Sequence, residues 1–218
     1  MTSVVDICNA AISHCGTRSK ISSIDEASRE ALACKTHYEQ VRDGALRSYD
    51  WNFARMTVSL AALTCSVQRW QYEYAVPVDC LRLRRLNDQP MLLIPPTWYE
   101  MAADKDADGN PINVIFTNQS PVSAIYTALI ADPSRWDSGF QDVVAYGLAS
   151  RIAFELTGKE EVVARVTKLW AGTLSQAATD MLNENPSPAP TYVPEALSAR
   201  GYDDGLAEQG LTWPRSWG

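Results

Sequence analysis

The sequence predicts an α+β fold, mainly α: a four-helix bundle with a β-rich insertion between helices 2 and 3 and an extended C-terminal arm. Apolar residues recur at steps of three and four in two N-terminal and two C-terminal segments, the helical period. Between them, from 51 to 138, the period shortens to two and turn residues multiply. Past 183 the texture turns to Pro and Gly with scattered aromatics. The predicted boundaries are 1–50 and 139–183 for the helical bundle, 51–138 for the insertion and 184–218 for the arm.

Over 3–15, Val4, Cys8, Ala11, Ile12 and Cys15 make one apolar stripe, and Gly16 supplies a C-terminal stop. A polar, Ser-rich connector follows over 17–27. The second helix starts at Ser28, an N-cap residue type, with Glu30 placed to favour the positive end of the helix dipole. Its stripe is Ala31, Cys34, Tyr38, Val41, Ala45 and Leu46. These two helices are expected to form an antiparallel pair. Gly139–Leu156 is apolar over a wide arc and is expected to be largely buried. Thr157-Gly158 ends it, and Lys159–Leu182 carries a narrower stripe that includes Val162, Val166, Leu169 and Leu174.

In the insertion, the alternation of Arg69–Tyr74 and of Leu81–Arg84 predicts strands, with Pro77 and Asp79 marking the turn between them. Ile112–Thr117 and Val122–Ala128 read as a further strand pair. Thr97–Lys105 reads as a short helix. Arg82, Arg84 and Arg85, with Arg69 on the preceding strand, form a basic cluster. On a strand Arg82 and Arg84 share one face and Leu81 and Leu83 the other. Such a face is either solvated or meets an acidic partner or a neighbouring subunit.

The last segment holds five of the twelve prolines, and Asn185–Pro190 favours an extended path. Disordered tails are poor in aromatics. This one carries Tyr192, Tyr202, Trp213 with Pro214, and Trp217. Aromatic side chains dominate interface hot spots, so these residues are read as anchors on a partner surface; the alternative is a tail folded back on its own domain.

Composition narrows the function. The chain has 218 residues, 46% hydrophobic and 21% charged, which is ordinary for a globular protein. Nineteen Lys and Arg against 26 Asp and Glu leave a formal charge of −7, which argues against a nucleic-acid grip. The opening MTSVVDICNA has no basic n-region and no long apolar run, so no secretory signal is expected, and no apolar stretch reaches the roughly 18 residues of a membrane span. Synthesis in a cytoplasm and no membrane partner are therefore expected. Five cysteines without a C-x-x-C pair predict small buried thiols and neither a disulfide framework nor a zinc site. His14 and His37 are the two histidines, and both read as structural. No nucleophile elbow or phosphate loop occurs, and the adjacent carboxylates of Glu160-Glu161 and Asp203-Asp204 lack apolar shielding. Neither catalysis nor a cofactor is expected.

The sharpest local motif is Asp104-Lys105-Asp106-Ala107-Asp108-Gly109, the first half of an EF-hand loop. Its second half fails: Ile115 stands where the bidentate Glu belongs. Asp104, Asp106 and Asp108 are thus weak calcium candidates, and a solvated acidic turn is the favoured reading.

Several pieces recur in one order: Ser28, Ala31, Cys34, Tyr38, Arg42 and Leu46 along the second helix; Trp51-Asn52-Phe53-Ala54 after it; Tyr74-Ala75-x-Pro77-x-Asp79-Cys80-Leu81-Arg82; and Ala145-Tyr146-Gly147-Leu148-Ala149-Ser150-Arg151-Ile152-Ala153, closing on Leu156-Thr157-Gly158. This set resembles the head-to-tail adaptors of tailed bacteriophages, the group of tail tubular protein A and the tail accessory factor, over roughly 1–86 and 139–183. The resemblance implies a structural virion protein at the head-tail junction. It implies a homo-oligomeric ring, typically a dodecamer, held beneath a portal protein and leading to a downstream tail or nozzle protein. DNA would pass through its lumen without specific binding. It also implies that Trp51, Asn52 and Phe53 are a structural junction between helices and insertion. The alternatives are another phage neck or tail-completion protein and a calcium-dependent binding module using the 104–109 loop. Under the adaptor reading, deletion of 184–218 should leave the far-UV circular dichroism of the body intact and weaken attachment to the portal. Loss of folding in the truncated chain would instead make the arm part of the core.

Overall fold

The computed structural model describes residues 2–87, 98–106 and 108–184. The predicted arm and its anchors Tyr192, Tyr202, Trp213, Pro214 and Trp217 lie outside the described residues. Residues 1–185 form one compact unit. Among the described residues it is an α+β fold of four helices and two antiparallel sheets, in which helices dominate but do not make a four-helix bundle.

Helix α1 (Val4–His14) opens with a capping box: the Asp6 N–H donates to the Ser3 hydroxyl, and the Asp6 carboxylate accepts the Ser3 N–H at 2.8 Å. Asn9 then fastens the connector. Its side-chain amide donates to the Ile21 carbonyl at 3.0 Å and accepts the Ile21 N–H at 2.8 Å, which holds Ile21 in the core. Helix α2 (Arg29–Ser48) is capped by Ser28, whose hydroxyl accepts the Ala31 N–H. Helix α3 (Ser138–Thr157) begins on an Asp137 cap and ends at Gly158, whose φ of 65° is the left-handed stop that glycine adopts without cost. Helix α4 is Glu160–Glu184.

The bundle prediction fails because α3 is buried around most of its circumference. Phe140, Val143, Leu148, Ala149 and Ala153 lie on different sides of the helix and are all fully buried, and one neighbour cannot cover so wide an arc. Helices α1, α2 and α4 each pack on α3, while α1 and α2 barely touch, so the expected antiparallel pair is replaced by two helices leaning on a third. The core also continues into the strands. Tyr74, Leu83, Leu86, Ile115, Ala124 and Tyr126 belong to the same apolar cluster as the helices. What reads as an insertion is therefore half of the core.

Seven strands form the two sheets: β1 (Arg55–Ser59), β2 (Ala62–Leu63), β3 (Tyr72–Ala75), β4 (Cys80–Leu86), β5 (Tyr99–Lys105), β6 (Pro111–Thr117) and β7 (Ser123–Ala128). The first sheet runs β1-β7-β4 and the second β2-β3-β6-β5. The segment Tyr99–Lys105 is a strand, not the expected short helix. Pairing along all seven of its residues with β6, from Tyr99 opposite Thr117 to Lys105 opposite Pro111, overrides the helical propensity of Met-Ala-Ala. The strand predicted from Arg69 starts only at Tyr72, because Trp70 and Arg69 turn back over the sheet toward Glu100.

Trp51 joins the two halves. It is 2% exposed, donates its indole N–H to the Ala45 carbonyl and meets Phe140 edge-on at 4.9 Å. Asn52, in the short 3-10 turn that follows, donates to the Met181 carbonyl near the end of α4. Gly147 is the close-approach point of the helices. A β-carbon there would lie 2.9 Å from Val41 Cγ1 and 3.0 Å from Trp170 Nε1, whereas one at Gly44 would meet nothing within 4 Å. Replacing a helical glycine by alanine gains about 1 kcal/mol, and overpacking costs about 1–3 kcal/mol. Gly44→Ala should therefore raise the urea midpoint, and Gly147→Ala should lower it. A stabilised Gly147→Ala variant would refute the close approach.

Candidate functional site

Residues directly opposite in an antiparallel ladder point to the same side, so the registers define the faces of each sheet. In the first sheet, Leu83, Tyr126 and Met56 share the face that joins the core, with Leu86, Ala124 and Val58 beside them. The opposite face carries Arg55, Thr127 and Arg82 in one row and Thr57, Ile125 and Arg85 in the next. Strand β4 slips register at Leu81 and at Arg84, and the second slip turns Arg84 onto the arginine face. There its Nε donates to the Thr127 hydroxyl at 2.8 Å.

The three predicted arginines are thus brought together, and Arg47 and Arg55 join them. Arg69 is not part of the cluster: it lies over Trp70 and pairs with Glu100 of the second sheet at 3.7 Å. Sequence spacing missed Arg47 and Arg55 because they reach the face from a helix end and from a strand that pairs out of order.

The cluster is first of all a joint. Arg84 Nη2 donates to the carbonyls of Leu46, Arg47 and Tyr49, the orphan acceptors at the C-terminus of α2. Arg82 donates to the Arg47 carbonyl at 3.0 Å, and Arg47 returns a bond to the Leu81 carbonyl at 2.7 Å. A cation at the negative end of a helix dipole is stabilising, and the planar guanidinium serves several carbonyls at once. The expectation of a wholly solvated or partner-facing arginine face is therefore corrected for Arg84, which spends its donors inside the chain. These acceptors are neutral, so they do not cancel the charge of Arg84. Asp50 pairs with Arg55 at 2.9 Å.

The acidic turn has its own geometry. Asp106 accepts the backbone N–H groups of Asp108 and Asn110 on Oδ1 and the Asn110 amide on Oδ2. These bonds hold its carboxyl below the usual carboxylate range. A cation would have to displace them, and the chain leaves the turn as strand β6. Asp104 is turned away, taking the Ser66 hydroxyl at 2.8 Å and the Lys105 N–H, which also lower its pKa. Among the described residues, no group of three or more His, Cys, Asp or Glu is arranged to hold a metal ion.

His14 stacks on Tyr146 with ring centroids 4.0 Å apart, and burial lowers its pKa. It does not face Cys15, whose thiol approaches the Ala149 carbonyl. Cys8, Cys15 and Cys34 are buried, and Cys34 is raised by its hydrogen bond with Cys8 and by burial. No helix among the described residues is long and apolar enough to cross a membrane.

Large exposed apolar side chains gather on the strand half. Met56 and Val58 stand on β1, Tyr99 and Met101 on β5, with Trp98 just before β5. Both β1 and β5 are edge strands of their sheets. No protein-family model matches this chain, and no curated protein matches it either.

Removing the arginine joint tests its structural part. Arg84→Met keeps the stem and strands the α2 carbonyls, so the urea midpoint should fall by the equivalent of about 1–3 kcal/mol. Arg84→Lys should recover only part, since one ammonium cannot reproduce the fork. An unchanged midpoint for Arg84→Met would show that solvent caps the helix equally well.

Proposed function

We propose that the chain is a head-to-tail adaptor of a tailed bacteriophage: a structural protein without catalysis that assembles as a ring beneath the portal, connects capsid to tail and lets DNA through. The observation that carries this reading is where the residues of the resemblance fall. Tyr38, Arg42 and Leu46 are buried on α2, and Trp51 and Ala54 are buried just after it. Gly147 lets α3 approach Val41 and Trp170, and Arg82 ties β4 to the end of α2. A pattern scattered over more than a hundred positions thus falls largely on the buried faces of α2 and α3 and on the residues that tie α2 to the strands. That is the part of an adaptor that must keep its shape while peripheral surfaces change from one assembly to the next.

The exposed apolar residues of the strand half lend second support. Exposed apolar side chains along two edge strands of an acidic chain suit a subunit that is covered on assembly. A formal charge of −7 suits a conduit through which phosphates slide, because a strongly basic lumen would hold them by counterion release.

Sedimentation velocity and negative-stain images of the full chain, alone at high concentration and co-expressed with the portal of its own phage, test the reading. The expected result is a closed ring of about twelve copies with a central channel, formed alone or on the portal. A chain that stays monomeric with portal present, and whose melting temperature rises with calcium alone, overturns it.

A further inference from the structure

We infer that the ring contact is a shared β-ladder: edge strand β1 of one copy pairs antiparallel with edge strand β5 of the next, so that the three-stranded sheet of one subunit continues into the four-stranded sheet of its neighbour. This rests on the ring reading above and specifies its interface.

An edge strand presents a row of unpaired N–H and C=O groups, a template for another strand. The edges are β1 and β4 in the first sheet and β2 and β5 in the second. Strand β2 has only two residues and β4 is tied to the end of α2 through Arg82 and Arg84, which leaves β1 and β5, whose side chains are complementary. Strand β1 alternates Arg55, Thr57 and Ser59 on one face with Met56 and Val58 on the other. Strand β5 alternates Glu100, Ala102 and Asp104 with Tyr99, Met101 and Ala103. Met56, Val58 and Met101 are 44%, 39% and 48% exposed, well above what a covered strand of this composition shows. Neither edge carries the proline that commonly blocks pairing.

One register satisfies both faces. Arg55 opposite Asp104 sets Val58 opposite Met101 and Ser59 opposite Glu100. Arg55 then meets the opposite charge of Asp104 on one side, each sharing or exchanging its partner within its own chain, Asp50 and the Ser66 hydroxyl, while Met56 and Val58 meet Ala103 and Met101 on the other. The antiparallel sense follows every ladder within the chain and is the more stable per residue.

Pairing β5 with another β5 about Ala102 is disfavoured, because it sets Glu100 of each copy against Asp104 of the other. In the β1-to-β5 contact Arg55 meets an acidic residue instead. That contact uses different surfaces on the two partners, so it propagates from copy to copy, and it closes into a ring when the rotation allows. A two-fold contact would stop at the dimer.

Disulfide trapping reads this directly. Directly opposed strand residues bring their α-carbons to about 4.5–5.5 Å, inside disulfide range. In a Cys65→Ser/Cys80→Ser background, the full chain carrying both Val58→Cys and Met101→Cys should give, under mild oxidation, a ladder of covalent species extending past the dimer. Each single variant should stay monomeric on a denaturing gel. Asp104→Arg added to the double variant should reduce trapping roughly tenfold or more, and Arg55→Glu added to that should restore it.

A dimer that forms with Val58→Cys alone means β1 pairs with itself, and a dimer with Met101→Cys alone means β5 does; either overturns the proposal. If the double variant yields no ladder while the unsubstituted chain forms rings by sedimentation and microscopy, this contact is wrong and the adaptor reading stands. If neither ladder nor ring appears with the portal present, both fall.

Discussion

Helix α3 has to be covered on every side, and most of the architecture follows from that demand. Phe140, Val143, Val144, Leu148, Ile152 and Ala153 sit around its circumference and are all fully buried. Each apolar side chain left in water would forfeit about 1.5–3 kcal/mol, so the helix imposes neighbours in all directions. Helices α1, α2 and α4 supply three of them, and Trp51, Phe53 and Trp136 close over its N-terminal end at Phe140. Gly147 is the concession that lets α2 and α4 approach at once.

The strands enter this arrangement through two small devices. One is the segment after α2, where the Trp51 indole bonds to the helix it has just left and Asn52 reaches α4. The other is the guanidinium of Arg84, bonded to three carbonyls at the end of α2 and to Thr127 of the central strand β7. Helix end and sheet are thereby held in one relation to each other. Arginine suits this task because its donors form a rigid fork and its charge persists at every relevant pH. The charge that stabilises the joint also leaves a basic patch on an acidic protein, so one set of residues serves internal architecture and the electrostatics of the surface.

Under the adaptor proposal, the subunit has to be stiff where it transmits geometry and receptive where it meets its neighbours. The helix–sheet seam has the first property, with aromatic rings in edge-on contact and few polar groups left without partners. The edge strands have the second. Their outward alternation separates charge from apolar surface, and specificity between identical copies needs that separation, because a slip of one residue would set Arg55 against Ala103 or Lys105 instead of Asp104.

The four helices were legible in the sequence because their signals are local. Ser3, Ser28 and Asp137 cap through bonds that span two or three residues, Gly158 stops through its own φ, and the apolar stripes need only the helical period. The acidic turn after Asp104 was legible for the same reason. The arrangement of the helices was not, because period says which face is buried and not against what; α1 and α2 each chose α3 over one another. The strand Tyr99–Lys105 was hidden because its conformation is decided by β6, and the joint made by Arg84 because it depends on a register slip and on a helix end some 35 residues earlier. The sequence alone determined where the chain is helical, how its segments begin and end, and that it is acidic. Only the tertiary structure decided that the strands share the helices' core, that arginines from three elements meet on one face, and that β1 and β5 lie at sheet edges, since each rests on contacts between residues far apart in the chain.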